Sequence, residues 1–494
     1  MNTTAKLEIS VLITAFAVGV LGDTLLRCFP WGVNFALWGV LLAAAVLYLG
    51  RARPQTFAGG GAWLLLPIAL APLTFLWRDS TVLKSLSIFS LVVALSLAML
   101  RARGGRLQTS SLIRYALGSL FTFFNAAFGM LPLVFTKREW NKSAGWSELR
   151  KVVAVLLGVA LAIPPLLLFG ALFMGADAVF KTFAMRFLRA IPSHILLTAF
   201  IAYIAGGYLR GVLFGKELSL PAGPRSLPIS LGAIEMGVML GLLDALFLAF
   251  VVVQVRYFFG GSAQVHATTG LTFADYARRG FFELLAVAAL LLPFLLAVHW
   301  LLRTDDTTGQ RLFRWLAGFQ IALLFVIMAS AVQRMRLYQE QYGLSEQRLY
   351  PTAFMGWLAV VFVWFCLTVL RGQRERFTFG AMVAGFLLVA ALEVINPDAL
   401  IARTNMERAR EGHIFDASYL LDLSADAVPE IVAGLPTLNR LDRRTLSKGM
   451  LDQWSRPQDF DWRSWSIARS RAWRAVSENE SSLRHPDVRV SEVR

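Results

Sequence analysis

Long apolar stretches constrain the fold of this chain of 494 residues more than any other feature. Each stretch holds roughly 16 to 27 residues, and a helix that rises about 1.5 Å per residue needs about 20 to cross a bilayer. The predicted spans are Ile9–Cys28, Trp31–Gly50, Gly61–Trp77, Val82–Leu100, Val152–Gly175, Ile191–Gly215, Ile229–Val255, Phe281–Leu302, Phe313–Val332, Pro351–Leu370 and Phe377–Ile395. The sequence therefore predicts an all-α, polytopic transmembrane bundle of about eleven or twelve spans.

Composition supports a membrane protein and argues against a nucleic-acid-binding one. Hydrophobic residues make up 56% of the chain and charged residues 16%, whereas a soluble domain carries about 25% charged residues. The net charge of +16 is explained by the Lys and Arg residues that fix the orientation of short loops. We therefore expect the lipid bilayer as a partner and no nucleic acid. The two cysteines, Cys28 and Cys366, are too few for a thiolate metal site.

Four regions follow one another along the chain. Residues 1–100 form N-terminal transmembrane hairpins, 101–151 a basic connector, 152–395 the main bundle and 396–494 an extramembrane helical tail. Within the connector, the apolar segment Leu112–Phe135 either crosses the membrane or stays non-spanning, by lying flat or re-entering. The non-spanning alternative gives the cleaner charge asymmetry, and it predicts a cytoplasmic N-terminus and a periplasmic tail.

Several loop motifs lie between the spans. They are Pro30–Asn34, Trp77–Ser80, Gly175–Phe180, Tyr276–Leu284, Arg336–Tyr338 with Tyr342–Leu344 and Arg348–Tyr350, and a final group of Asn405, Arg408, Asp416, Tyr419 and Asp426–Pro429. These motifs resemble an uncharacterised family of multi-pass bacterial membrane proteins that is known only as a domain of unknown function. The resemblance extends over most of the chain and is best from about residue 150 onward. It implies a location in the bacterial inner membrane and implies no activity.

Two spans separate each of these motifs from the next after residue 150, so they lie on one membrane face. If Leu112–Phe135 does not span, Arg78 joins that face. The face then collects the candidate ligand or gating residues Asp177, Arg278, Arg279, Glu283, Arg336, Tyr338, Tyr342, Arg348, Asn405 and Asp416. Arg and carboxylate side chains pair bidentately. Two interpretations stay open: a charge network that locks the tail onto the bundle, and a binding pocket for a polar or anionic ligand.

A second set of candidates lies at membrane depth, where ionisable side chains are costly and usually functional. Asp244 is in the middle of a span, and Glu235 precedes it on the same helix. Nine residues at 100° each place the two on opposite helix faces. Asp244 is either a carboxylate held by a partner or a proton or cation site. His299 and Gln320 can hydrogen-bond to a neighbouring helix.

Near the end of the first span, Asp23 and Arg27 are four residues apart, which predicts a structural ion pair. In the tail, the pattern predicts a helix over Leu420–Gly434 with Ser424 and Asp426 as caps. The segment Arg456–Val476 mixes Trp with Arg, which is typical of a membrane interface and also compatible with packing inside the tail.

Catalytic signatures are missing from the sequence. It has no phosphate-binding loop, no His-Glu-x-x-His motif and no nucleophile elbow. Its five histidines are spread along the chain, so we predict neither a metal site nor a cofactor, and we favour a non-enzymatic protein.

We predict a transporter-like protein or a binder of a small polar solute. The motif-bearing face would be its mouth, and Asp244 its polar group at membrane depth. The alternative is a membrane-embedded sensor or scaffold whose face and tail dock a partner protein. An integral-membrane enzyme ranks third. The sequence predicts no oligomeric state.

Overall fold

A computed structural model describes residues 3–50, 62–102, 112–130, 162, 165–166, 168–182, 185, 193–214, 231–260, 273–302 and 306–486. Most of these residues are helical. The described part of the chain has no β-strand beyond an isolated bridge between Leu231 and Leu302. The predicted all-α bundle is therefore confirmed.

The chain forms two compact units. The first contains Met1–Leu220 and Pro457–Ile467, and the second contains Pro221–Arg456 and Ala468–Arg494. The segment Pro457–Ile467, called the strap below, is thus a part of the tail that belongs to the first unit. The long helices in the described part of the first unit are α1 (Thr3–Leu26), α2 (Val33–Gly50), α3 (Leu65–Trp77), α4 (Thr81–Ala102), α5 (Leu112–Phe128) and α6 (Ser193–Phe214).

Small residues let α1 and α6 approach closely in the first unit. A Cβ atom added to Gly19 would lie 2.6 Å from the Thr198 carbonyl oxygen and 2.7 Å from the Ala202 Cβ. One turn earlier on α1, Ala15 faces Gly206. These contacts make the two helices antiparallel. In lipid, apolar side chains gain little free energy by moving from lipid to a helix interface, so association depends on close packing of the backbones. Glycine and alanine permit this packing because their side chains are small.

Helix α5 contains most of the described part of the ambiguous apolar segment. Asn125 contacts Gly211, and the backbone of Gly129 meets that of Gly207 in the interior of α6. The helix therefore runs antiparallel along α6 rather than lying flat across its end. Residues 131–161, which decide whether the segment crosses, lie outside the described residues.

The described part of the second unit holds five long helices and a helical tail. The long helices are α7 (Ala233–Gly260), α8 (Phe273–Leu301), α9 (Thr307–Tyr342), α10 (Glu346–Thr368) and α11 (Arg374–Ile395). With 36 residues, α9 is about 54 Å long, whereas the hydrocarbon core measures about 30 Å. Part of α9 therefore lies beyond the hydrocarbon.

The tail builds a core of its own from short helices. They are α12 (Pro397–Arg410), α13 (Ala417–Leu421), α14 (Val428–Gly434), α15 (Arg440–Trp454), α16 (Ile467–Glu478) and α17 (Glu480–Arg484). Ile401, Leu420, Ile431, Leu446 and Val476 form the centre of this core, and each is almost fully buried. The predicted helix over Leu420–Gly434 is wrong as one element, because α13 and α14 are separate.

Eight of the described helices are long and apolar enough to cross a membrane. Three shorter apolar helices, Val33–Tyr48, Ala62–Trp77 and Gly118–Phe128, accompany them. The chain is thus a multi-pass protein whose apolar helices contact the bilayer. Most of the predicted span Val152–Gly175 lies outside the described residues.

Candidate functional site

Asp244 stands out among the described side chains of the second unit. It lies midway along the apolar part of α7 and is 4% exposed. Neither of its carboxylate oxygens has a hydrogen-bond partner among the described residues. A buried polar group without a partner costs free energy, and a charged one costs far more. Such a group points to a function beyond folding.

The register between α7 and α9 places a second such group at the same level. Gly237 faces Leu312, and Gln254 bonds to Ser330, so the two helices run parallel with partners 75 or 76 positions apart. The same spacing puts Gln320 level with Asp244. Gln320 is fully buried, and its amide nitrogen and oxygen both lack partners within the described chain. We call this helix interface the α7–α9 seam.

A satisfied polar pair lies further along the seam. The Ser330 hydroxyl donates to the Gln254 amide oxygen over 2.6 Å, and both side chains are buried. This pair ties α7 to α9 as polar bonds between membrane helices do. This pair makes a hydrogen bond, whereas Asp244 and Gln320, ten residues earlier on each helix, have no partner among the described residues.

Glu235 occupies the other face of α7, as predicted. It is exposed near the start of the helix, whereas Asp244 is buried against its neighbours. The two carboxylates are separated by about 14 Å along the helix axis. They do not form one site.

The motif-bearing residues of the second unit meet at the end of α9. The Asn405 side chain accepts from the Leu344 N–H over 2.9 Å and donates to the Leu344 carbonyl over 2.8 Å. The Arg348 guanidinium donates hydrogen bonds to the carbonyls of Tyr342 and Gly343. Its Cζ atom lies over the Tyr338 ring, 4.3 Å from the ring centroid. Together these contacts hold the α9–α10 turn against the tail, and we call them the latch.

Two tail residues complete the latch. The Tyr419 hydroxyl accepts from the Glu346 N–H over 2.8 Å, and burial raises the pKa of Tyr419 to about 12. Asp416 caps α13 by accepting from the Tyr419 N–H. Gly343 ends α9 with a φ of +79°, a left-handed conformation that favours glycine. Arg348, Asn405 and Asp416 are thus engaged in backbone hydrogen bonds.

The other predicted candidates lie apart from the latch contacts, except that Tyr342 contributes its carbonyl to the latch. Glu283, Arg336 and Tyr342 have exposed side chains, and Tyr342 packs against Tyr338 with ring centroids 5.1 Å apart. The side chains of Arg278 and Arg279 lie outside the described residues. In the first unit, Asp177 caps a helical turn by accepting from the Phe180 N–H. Arg78 lies beside the ring of Trp77.

A polar cluster at the end of α1 exceeds the predicted ion pair. Arg27 Nε donates to Asp23 Oδ1 over 2.7 Å, which confirms the pair. The other Asp23 oxygen lies 2.6 Å from His194 Nδ1, and Arg27 also donates to the Ser193 hydroxyl. The predictions missed His194 because 171 positions separate it from Asp23. The cluster joins the facing ends of α1 and α6.

The strap lies on the same end of the first unit. The Arg463 guanidinium donates to the Thr24 carbonyl over 2.6 Å, and the Val33 N–H donates to the Trp465 carbonyl over 2.8 Å. An open groove of about 690 Å³ lies between Thr24, Leu25 and the strap residues Asp459–Arg463. The Trp-rich segment of the tail is therefore used, in part, for packing against its own chain.

A contact with the strap affects the pKa of the Cys28 thiol. Burial, together with a hydrogen bond to Asp461, raises the pKa of Cys28. The hydrogen bond from Arg463 lowers the pKa of Asp461 to about 2. Because the pKa of Asp461 is depressed, its ion pair with Arg463 stabilises the strap at pH values above the ordinary carboxyl pKa. This stabilisation is lost as the pH falls towards 2.

Cys28 provides a direct measure of strap docking. In a Cys366→Ala background, Cys28 is the sole cysteine, and the further change Asp461→Ala removes its partner. We expect maleimide to label Cys28 faster, because the thiolate is the nucleophile and the loss of Asp461 removes one cause of the raised Cys28 pKa. Asp459→Ala, two residues away on the same groove, is the matched control. Equal labelling rates for all three proteins would contradict strap docking.

Asn405 is expected to carry much of the stability of the latch. Asn405→Ala removes two hydrogen bonds and leaves the Leu344 N–H and carbonyl unpaired, at a cost of about 1–3 kcal/mol. Asn405→Asp retains the acceptor and loses the donor, so its loss should be intermediate. Limited proteolysis of the tail, combined with thermal unfolding, measures both variants. If the tail of Asn405→Ala resists the protease as well as the wild-type tail does, this prediction is wrong.

The fold and the buried seam define an integral, multi-pass helical membrane protein. The chain belongs to the family described as Domain of unknown function (DUF4153), whose sequence model matches residues 65–434, most of the chain. The resemblance inferred from the loop motifs is thereby confirmed. No curated protein and no solved structure matches the chain.

Proposed function

We propose that this protein is transporter-like and that it binds and moves a small polar solute or ion through its second unit. The buried, unpartnered carboxylate of Asp244 on α7 is the observation that carries the proposal. An intramembrane ionisable group typically marks a substrate or ion pathway. Gln320, level with it on α9, adds a second polar group to the same part of the seam.

The proposed mouth lies at the latch end of the seam. Exposed Glu283, Arg336 and Tyr342 would offer charge and hydrogen bonds there, with Arg278 and Arg279 on the same stretch of α8. Arg348, Asn405 and Asp416 would hold this mouth in shape through their backbone bonds. On α7, the exposed Glu235 would lie on the other face of the helix, outside this pathway.

The proposed location is the bacterial inner membrane, with the N-terminus cytoplasmic and the tail periplasmic. Cysteines introduced at Tyr342 and Ser424 are expected to react with an impermeant thiol reagent from the periplasmic side, as are those at Asp177 and Gly270. A cysteine at Arg371, at the other end of α10, should react from the cytoplasmic side. A split within the first set would overturn the assignment of faces.

Water access to the seam is the test of transport. Single cysteines at Leu240, Asp244 and Phe247, in a background without Cys28 and Cys366, should react with a charged methanethiosulfonate reagent if a polar pathway opens along α7. A cysteine at Phe362, in the apolar core of α10 and outside the α7–α9 seam, is the matched control and should stay unreactive. No reaction at any of the three seam positions would reject a solute pathway.

A scaffold or sensor is the second candidate, and the latch favours it. Asn405, Arg348 and Tyr419 join the tail core to the α9–α10 turn, so a partner bound to the tail would act directly on two membrane helices. A seam closed to the charged reagent, together with loss of a co-purifying protein in Asn405→Ala, would favour this candidate.

A further inference from the structure

We infer that the species bound at Asp244 is a proton, taken from and returned to water. This inference rests on the proposed function, because it names the ligand of the same site. In the step, one carboxylate oxygen forms an O–H bond with a proton released by hydronium, and a water molecule leaves. The reverse step returns the proton to water and restores the carboxylate.

A metal ion is a poor match for the surroundings of Asp244. Hard cations such as Ca²⁺ and Mg²⁺ collect about six to eight oxygen ligands. One turn away on α7 lie Leu240 and Leu248, and Leu316 and Leu323 flank the same level of α9. Within the described chain, no three His, Cys, Asp or Glu side chains come together as a metal site. A proton needs only one oxygen.

A polar solute meets the same difficulty. The seam residues that surround Asp244 belong to one continuous apolar cluster, which includes Leu240, Phe247, Leu323 and Leu324. A solute bound there would find a carboxyl group and at most one amide to replace its hydration shell. The proton is the ligand that these few polar groups are able to hold.

Among the described residues, no basic side chain donates a hydrogen bond to Asp244. Helix α9 carries no titratable residue between Arg314 and Arg334, and Arg314, six positions before Gln320, is exposed. Helix α8 carries none between Glu283 and His299. The other titratable residues on α7 are Glu235, Arg256 and Tyr257, and those on α10 are Glu346, Arg348, Tyr350 and Cys366. All of them lie towards helix ends. An ionised, unpaired carboxylate would be costly here, so the neutral acid is the resting form.

Infrared difference spectroscopy tests this inference without reference to transport. The protein is reconstituted in phosphatidylcholine bilayers and brought from acidic to alkaline buffer. We expect a carboxylic C=O band that persists at pH values at which exposed carboxyls are already ionised. At higher pH this band should disappear, and it should return when the pH is lowered again. The band should be absent in Asp244→Asn, shifted in Asp244→Glu and retained in Glu235→Gln, which removes a carboxyl from the exposed part of the same helix.

The outcomes separate this inference from the proposed function. A titrating Asp244 band with a seam closed to the charged reagent would leave the proton site standing and reject solute transport. Two results would overturn the proton: the absence of any band that Asp244→Asn removes, or a band displaced by exchanging K⁺ for Na⁺. Asp244→Glu keeps the test decisive if Asp244→Asn fails to fold.

Discussion

Asp244→Asn is expected to abolish proton movement through the protein while leaving its insertion and stability intact. The amide has nearly the shape of the neutral acid, so the fold loses no volume and gains no charge. It binds no proton, however, so the exchange step is removed. We expect proton uptake by proteoliposomes under a potassium diffusion potential to fall at least tenfold, to the rate of protein-free liposomes.

The measurement needs a variant that alters charge on the same helix without touching the seam. Glu235→Gln meets this need because Glu235 is exposed on the opposite face of α7. It should transport protons at a rate close to that of the wild type. If Asp244→Asn instead lowers the thermal stability and leaves the flux unchanged, Asp244 is a structural group and the scaffold becomes the better function.

The sequence predicts the helices well because bilayer thickness and backbone hydrogen bonding leave few alternatives. A run of about 20 apolar residues in lipid has to be helical. Asp244 is also visible from sequence, since a carboxylate stands out inside the Ala233–Gln254 span. The periodicity of α7 places Glu235 on the other face, and the structure confirms that Glu235 is exposed while Asp244 is buried.

Long-range pairings are what the sequence leaves undetermined. Nothing local shows that Gln320 is level with Asp244, because the register of two helices depends on packing along their whole contact. The strap is an extreme case, since Arg463 meets Thr24 across 439 positions. Apolar spans resemble one another, so their composition carries little information on which of them are neighbours.

Competing hydrogen bonds from side chains explain why the predicted helix over Leu420–Gly434 is not continuous. The Ser424 hydroxyl donates to Asp398 over 2.5 Å, and its N–H bonds to the same carboxylate. Asp398 is 1% exposed, so these bonds are made in a nearly dry setting. Ser and Asp side chains offer the backbone partners other than the helix ladder. The amphipathic pattern of Leu420–Gly434 is therefore split into two helices around this buried carboxylate.

Gly19→Val is expected to have the largest effect on folding. Its new Cβ would have to displace the α6 backbone, because it would lie 2.6 Å from the Thr198 carbonyl oxygen. Overpacking of a tight contact typically costs about 1–3 kcal/mol, and more where backbone must move. Since α1 and α6 associate through small residues, we expect most of the protein to be lost from the monodisperse peak in size-exclusion chromatography.

Gly241→Val is the matched control for this prediction. It makes the same exchange inside another apolar helix, α7, at a position where an added Cβ meets nothing within 4 Å. The change in helix propensity is the same in both variants, so any difference between them measures the α1–α6 contact alone. Gly241→Val should accumulate like the wild type and unfold at nearly the same temperature. Equal losses in the two variants would show that valine is poorly tolerated in these helices generally, and would remove the case for a close α1–α6 crossing at Gly19.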